Sequence, residues 1–140
     1  MALISAIIAY YLGGVREKQS RLAEQQRFAL DLRDQFAKYD DVHYRLRPGG
    51  EWAGATGGPA TPKEWSQVEA YMGLFEQCEL MIEHALIDES TFKELYAYRL
   101  NNIAANETIR REKLIKRAEG WAVFLALLKR MQIEVNSQHY

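Results

Sequence analysis

The chain has 140 residues, of which 48% are hydrophobic and 26% charged; this composition fits one globular domain, 1–140, and excludes a disordered chain. Its formal net charge of -1 excludes a general attraction to nucleic acid or anionic lipid, so any such partner would have to bind a local patch. The single cysteine, Cys78, excludes an internal disulfide.

The first predicted element is an uncharged segment, residues 2–15, which is followed by Arg16, Lys18 and Arg21. As a helix, these 14 residues would be about 21 Å long, shorter than the roughly 30 Å hydrocarbon core of a bilayer. Three interpretations stay open: a shortened membrane anchor, which the basic residues favour, an interfacial or partner-binding segment, and a helix buried in the protein's own core. The side chains that would form the anchor or interface are Ile4, Ile7, Ile8, Tyr11 and Leu12.

Helical signals continue after this segment, and residues 16–40 extend a first helix that begins near residue 3. The segment 48–60 follows and is rich in glycine and proline, which predicts a flexible loop. A second helix should begin at Thr61-Pro62-Lys63-Glu64, which offers an N-cap threonine, a proline at the first position and a capping-box glutamate.

Apolar stripes predict that the second helix ends near Leu86, that a third covers about 89–103 and that a fourth covers about 107–134. No segment alternates as a strand would. The sequence therefore predicts an all-α fold, a bundle of four main helices with its core in residues 61–134, and frayed residues 136–140.

Two charged residues interrupt the apolar stripes of the second and third helices. Glu79 lies on the stripe of the second helix, and Arg99 lies on that of the third. Because the short connection at Ile87-Asp88 makes these helices an antiparallel hairpin, the two side chains could meet. A buried charge is tolerated only when it is paired, so we predict an internal ion pair between Glu79 and Arg99.

A basic cluster occurs early in the fourth helix. Glutamates are interleaved with it, and no aromatic residue lies among the charges for base stacking, so a solvated helix face is the favoured interpretation and nucleic acid is not an expected partner. Contact with an anionic group is the alternative. The five basic residues are Arg110, Arg111, Lys113, Lys116 and Arg117.

Catalytic motifs are absent from the sequence. It has no Gly-x-Ser-x-Gly, no His-Glu-x-x-His and no paired cysteines. A di-iron site in a bundle would use Glu-x-x-His pairs, and no glutamate stands three residues before any of the three histidines. We therefore predict no enzyme activity and no catalytic, cofactor-binding or metal-binding residues.

The segment VEAYMGLFEQCELMIEHALIDESTFKELYAYRL, residues 68–100, resembles a family of small uncharacterised bacterial proteins. The resemblance rests on a Phe-Glu pair that is separated by eight residues from Ala-Leu-Ile-Asp-Glu. It implies an N-terminal membrane helix and a cytoplasmic helical domain of unknown function, and therefore a location at the cytoplasmic face of the bacterial inner membrane.

The sequence thus predicts a non-enzymatic interaction or scaffolding module that residues 2–15 attach to the membrane. The alternative is a soluble, cytoplasmic helical protein that inhibits or scaffolds a protein partner. In that alternative, residues 2–15 form the interface with the partner or with other copies in a homo-oligomer.

Overall fold

The computed structural model describes residues 2–135, with side chains from Ile4 onward, and this part of the chain is helical without strands. The all-α prediction is confirmed, including the long first helix. The predicted fraying of residues 136–140 lies outside the described residues. The helices are α1 (Ala2–Ala37), α2 (Asp40–Leu46), α3 (Pro62–Glu83), α4 (Glu89–Ala105), α5 (Glu107–Ile109) and α6 (Ala122–Arg130).

Helix α3 begins where its sequence predicts and forms the centre of the bundle. The Thr61 hydroxyl accepts a hydrogen bond from the Glu64 amide, and the Glu64 carboxylate accepts one from the Thr61 amide, both at 3.2 Å. This capping box satisfies two amides that the helix itself cannot pair. Arg45 of α2 then binds the same glutamate at 2.9 Å, which joins the start of α3 to α2.

The core is built around Phe75, which is fully buried in α3. Its ring lies 5.1 Å from Phe36 of α1, 6.4 Å from Phe92 of α4 and 6.2 Å from Phe124 of α6, measured between ring centroids. Such tilted and edge-on arrangements are favourable for aromatic rings. One side chain therefore connects α3 to three other helices.

The predicted fourth helix is broken into α5 and α6. A π-helical turn, Arg110–Ile115, follows α5, and a 3₁₀ turn, Ala118–Trp121, precedes α6. The π-helical turn brings residues five apart onto one face, so Ile109 and Leu114 are both buried. Helix α6 then ends at Arg130, not near 134, because Gln132 adopts a left-handed conformation with φ of 61°.

The segment 48–60 contains no regular helix, but its middle is restrained. Trp52 is buried, and the side-chain amide of the fully buried Asn106 donates to the Trp52 carbonyl at 2.7 Å and to the Gly57 carbonyl at 2.9 Å. The Asn106 side-chain oxygen also accepts from the Ile109 amide at 2.9 Å and so caps α5. One asparagine therefore restrains a loop whose composition predicts flexibility.

We expect Asn106→Ala to lower the free energy of unfolding by about 3 kcal/mol, because it removes the cap and leaves buried carbonyls without a donor. Urea denaturation measures this change. Asn101→Ala is the matched control, because Asn101 is exposed on α4 and should change stability by less than about 0.5 kcal/mol. Equal stability of the two variants would show that Asn106 does not hold the loop.

Candidate interaction surface

Helix α1 extends well beyond the rest of the bundle. Its 36 residues make it about 54 Å long. Of its described side chains, only Leu32 and Phe36 are buried. Farther toward the N-terminus, the Gln25 side-chain amide donates to the Ala85 carbonyl at 3.3 Å. The N-terminal half of α1 is therefore attached to the body of the protein only through its C-terminal half.

The five side chains predicted as an anchor or interface lie on this projecting half and are exposed. The exposed fraction is 63% for Ile4, 64% for Ile7, 53% for Ile8, 70% for Tyr11 and 47% for Leu12. The interpretation in which this segment packs into the protein's own core is therefore wrong. The exposure instead leaves an apolar surface that a lone chain does not cover.

Three of these side chains, Ile4, Ile8 and Tyr11, belong to a longer pattern, which we call the α1 seam. Its apolar residues follow alternating steps of four and three, broken only by Lys18 and Gln25, and this spacing places them on one face of the helix. The seam consists of Ile4, Ile8, Tyr11, Val15, Leu22, Ala29, Leu32 and Phe36.

The α1 seam has two different environments along its length. Leu32 and Phe36 are buried against the body, and Gln25 on the same face contacts Ala85. Residues 4–22 of the seam continue in the same direction past the body; we call this part the free seam. The same face of α1 thus makes a protein contact at one end and is uncovered at the other.

Sequence reasoning missed the seam because the change in charge at Arg16 suggested a boundary there. The signal was present in the sequence, since the four-three spacing continues from Ile4 through the charged residues to Phe36. A periodicity search across residue 16 would have found one helix face where charge alone suggests two segments.

The predicted ion pair has the wrong partner. Glu79 is buried, with 8% of its side chain exposed, but its carboxylate binds Arg130 of α6 and not Arg99. The Arg130 Nε and Nη2 atoms donate to it at 2.9 and 2.8 Å, which is a two-pronged pairing. Arg130 also contacts Glu89 of α4 at 3.4 Å, so this arginine links α6 to both α3 and α4.

Arg99 instead lies at the base of α1. Its guanidinium is 5.3 Å from the centre of the Phe36 ring, its Nε donates to the Tyr98 hydroxyl at 3.2 Å, and its Nη2 lies 4.0 Å from Asp40. With 13% of its side chain exposed, it packs as a cation against aromatic rings near the point where α1 ends.

Two titratable groups beside Arg99 are shifted toward their neutral forms. Burial raises the pKa of Tyr71 to about 12, and the neighbouring Arg99 opposes that shift. Burial, and then the positive charge of Arg99, lower the pKa of His43. The Tyr71 hydroxyl, the His43 Nδ1 atom and the Arg99 Nη1 atom are buried without a hydrogen bond of ordinary geometry. Tyr71 and His43 are therefore favoured in their neutral forms beside the Arg99 guanidinium, whose charge Asp40 faces at 4.0 Å.

The predicted basic cluster is largely paired within the protein. Lys113 is buried, binds Glu69 and lies 4.9 Å from the centre of the Trp65 ring. Arg111 and Lys116 both bind Glu112, at 3.2 and 2.9 Å.

Arg110 and Arg117 make no ion pair within residues 2–135. Arg111, Lys113 and Arg117 line an open groove of about 400 Å³. The contact of this cluster with an anionic group stays a prediction.

Two features are absent from the described part of the chain. Within residues 2–135, no group of three or more histidine, cysteine, aspartate or glutamate side chains is placed to hold a metal ion. No helix in that range is both long and apolar enough to cross a membrane.

No protein-family model matches the chain, and no curated protein or solved structure is significantly similar to it. The resemblance of residues 68–100 to a bacterial membrane-anchored family is therefore wrong. The N-terminal membrane helix that it implied is also wrong, because α1 is not apolar over enough of its length. A bacterial origin and a location at the inner membrane have no support.

The corrected ion pair can be tested with double-mutant cycles followed by urea denaturation. Glu79→Ala and Arg130→Ala should each lower stability, and the arginine change should cost more because it leaves a buried carboxylate unpaired. The double variant should cost clearly less than the sum of the two single changes.

The matched control is the cycle between Glu79 and Arg99. These two changes should add to within about 0.5 kcal/mol, because the structure places no contact between the side chains. An additive Glu79–Arg130 cycle, or a coupled Glu79–Arg99 cycle, would contradict the pairing.

Proposed function

We propose that the chain is a non-enzymatic interaction module whose free seam binds a helical segment of a protein. One observation carries the proposal: the face of α1 that packs on the body at Leu32 and Phe36 continues, uncovered, to Ile4. An exposed apolar stripe of this length is a liability in a monomer and is typical of a protein interaction site.

The spacing of the free seam supports a helix as the bound element. Steps of four and three average 3.5 residues, which is the period at which two helices stay in contact along their length. From residue 16 onward the stripe is narrow, because Arg16, Glu17 and Arg21 lie off the seam on more polar faces, and this supports the same conclusion. A partner helix with a matching apolar stripe would complete the packing.

The body supplies a rigid base for this helix. Phe36 is buried among Tyr71, Phe75 and Tyr96, and its ring stacks on Tyr96 at a centroid distance of 4.2 Å. An interaction helix held in this way would bind with a smaller loss of conformational entropy than a disordered segment. In this proposal the side chains of the free seam bind the partner by apolar packing and catalyse no reaction.

Photo-crosslinking of the full chain in its native cell tests the proposal. Tyr11, on the free seam, is replaced by a benzophenone amino acid, and Ser20, on the opposite face of α1, carries the same group as the matched control. We expect protein adducts from position 11 at a yield at least about tenfold higher than from position 20, because only the seam would be in contact with a partner.

Peptide mass spectrometry then identifies the attached segment. An apolar segment with four-three spacing, from another protein or from this chain, would support the proposal. Equal yields from both positions, or adducts with lipid alone, would overturn it.

A further inference from the structure

We infer that the free seam binds a second copy of this chain, with the two α1 helices antiparallel and centred on residue 13. This inference rests on the proposed function and names its partner. It follows from three properties of residues 4–22: their register, their charge distribution and the position of the body at one end.

The register follows from the spacing of the seam. In an antiparallel pair, Ile4 lies opposite Leu22 of the second copy, and Tyr11 lies opposite Val15. Ile8 then lies opposite Lys18. We call each such facing pair of residues a layer. By symmetry the dimer has six layers, and every seam position from 4 to 22 takes part in one of them. Lys18 is the single charged residue of the seam in this range, and its methylene stem can cover Ile8 while its ammonium group reaches water.

The charge distribution favours the antiparallel direction. Residues 4–15 carry no charge, whereas residues 16–22 carry three basic residues and one acidic residue, a net charge of +2. A parallel pair would superimpose the two charged halves and place Lys18 against Lys18 in the core, which is unfavourable. An antiparallel pair places each charged half beside the uncharged half of the other copy.

The body fixes which antiparallel register can form. The free seam runs from Ile4 to Leu22, about 27 Å, and the contact between Gln25 and Ala85 closes it at the C-terminal end. A register shifted one heptad toward the body would require the face at Gln25, which is already in contact with Ala85. A shift in the other direction would leave Lys18 and Leu22 without a partner.

Sedimentation equilibrium of the purified full chain gives the first test. We expect twice the chain mass of 16.2 kDa. Tyr11→Ser should weaken the dimer by at least about a hundredfold, because the ring is lost from two layers. Tyr10→Ser is the matched control: Tyr10 is 87% exposed and lies off the seam, so this change should leave the dissociation constant within about threefold.

Cysteine crosslinking tests the direction of the helices. Cys78 is fully buried and its pKa is raised to about 12, so the native thiol should not react. The unmodified chain is therefore the negative control for crosslinking. Ile4→Cys and Leu22→Cys are prepared separately and treated with a short bismaleimide. In the antiparallel dimer, neither variant alone should crosslink, and a mixture of the two should give a covalent dimer.

Crosslinking of Ile4→Cys alone would show a parallel pair and would overturn the inference. A monomer at all concentrations, or an assembly larger than a dimer, would also overturn it. If the purified chain is monomeric while position 11 still forms protein adducts in the cell, the proposed function stands and only self-association fails. If both are negative, both proposals fail.

Discussion

The packing of Phe36 is the interaction on which the arrangement of the molecule depends. This ring at the C-terminal end of α1 stacks on Tyr96, contacts Phe75 and lies under the guanidinium of Arg99. It therefore sets the direction in which α1 leaves the body. Because Leu32 is the other buried side chain among the described residues of α1, a contact that spans little more than one helical turn sets the orientation of the whole free seam.

The body that supports this contact is held by polar anchors as well as by its aromatic core. Arg130 joins α6 to Glu79 of α3, and Asn106 joins the start of α5 to the loop around Trp52. Each forms hydrogen bonds with buried polar groups, which would destabilise the fold if they had no partner. A rigid body gives a firm base to a long helix, and that is what a projecting interaction surface requires.

Local signals allowed much of the fold to be predicted, and tertiary effects account for what was missed. The start of α3 was predictable because its capping box lies within four residues. The burial of Glu79 could be predicted from its place on an apolar stripe, but the identity of its partner, Arg130, could not. Arg130 lies on α6, which follows the π-helical turn and the 3₁₀ turn, and no short sequence pattern specifies these two breaks in the predicted fourth helix. The free seam was missed for another reason. The change in charge at Arg16 suggested the end of a segment, although the four-three spacing of apolar residues continues past it.

Hydrogen exchange of the purified full chain tests most directly whether residues 4–22 are covered by a second copy. A lone, solvent-exposed helix frays and exchanges rapidly, whereas a packed helix is protected. The account predicts that the amides of residues 8–18 become more protected as protein concentration rises, while the protection of α3 stays constant. Rapid exchange of residues 8–18 at every concentration, with α3 still protected, would contradict it.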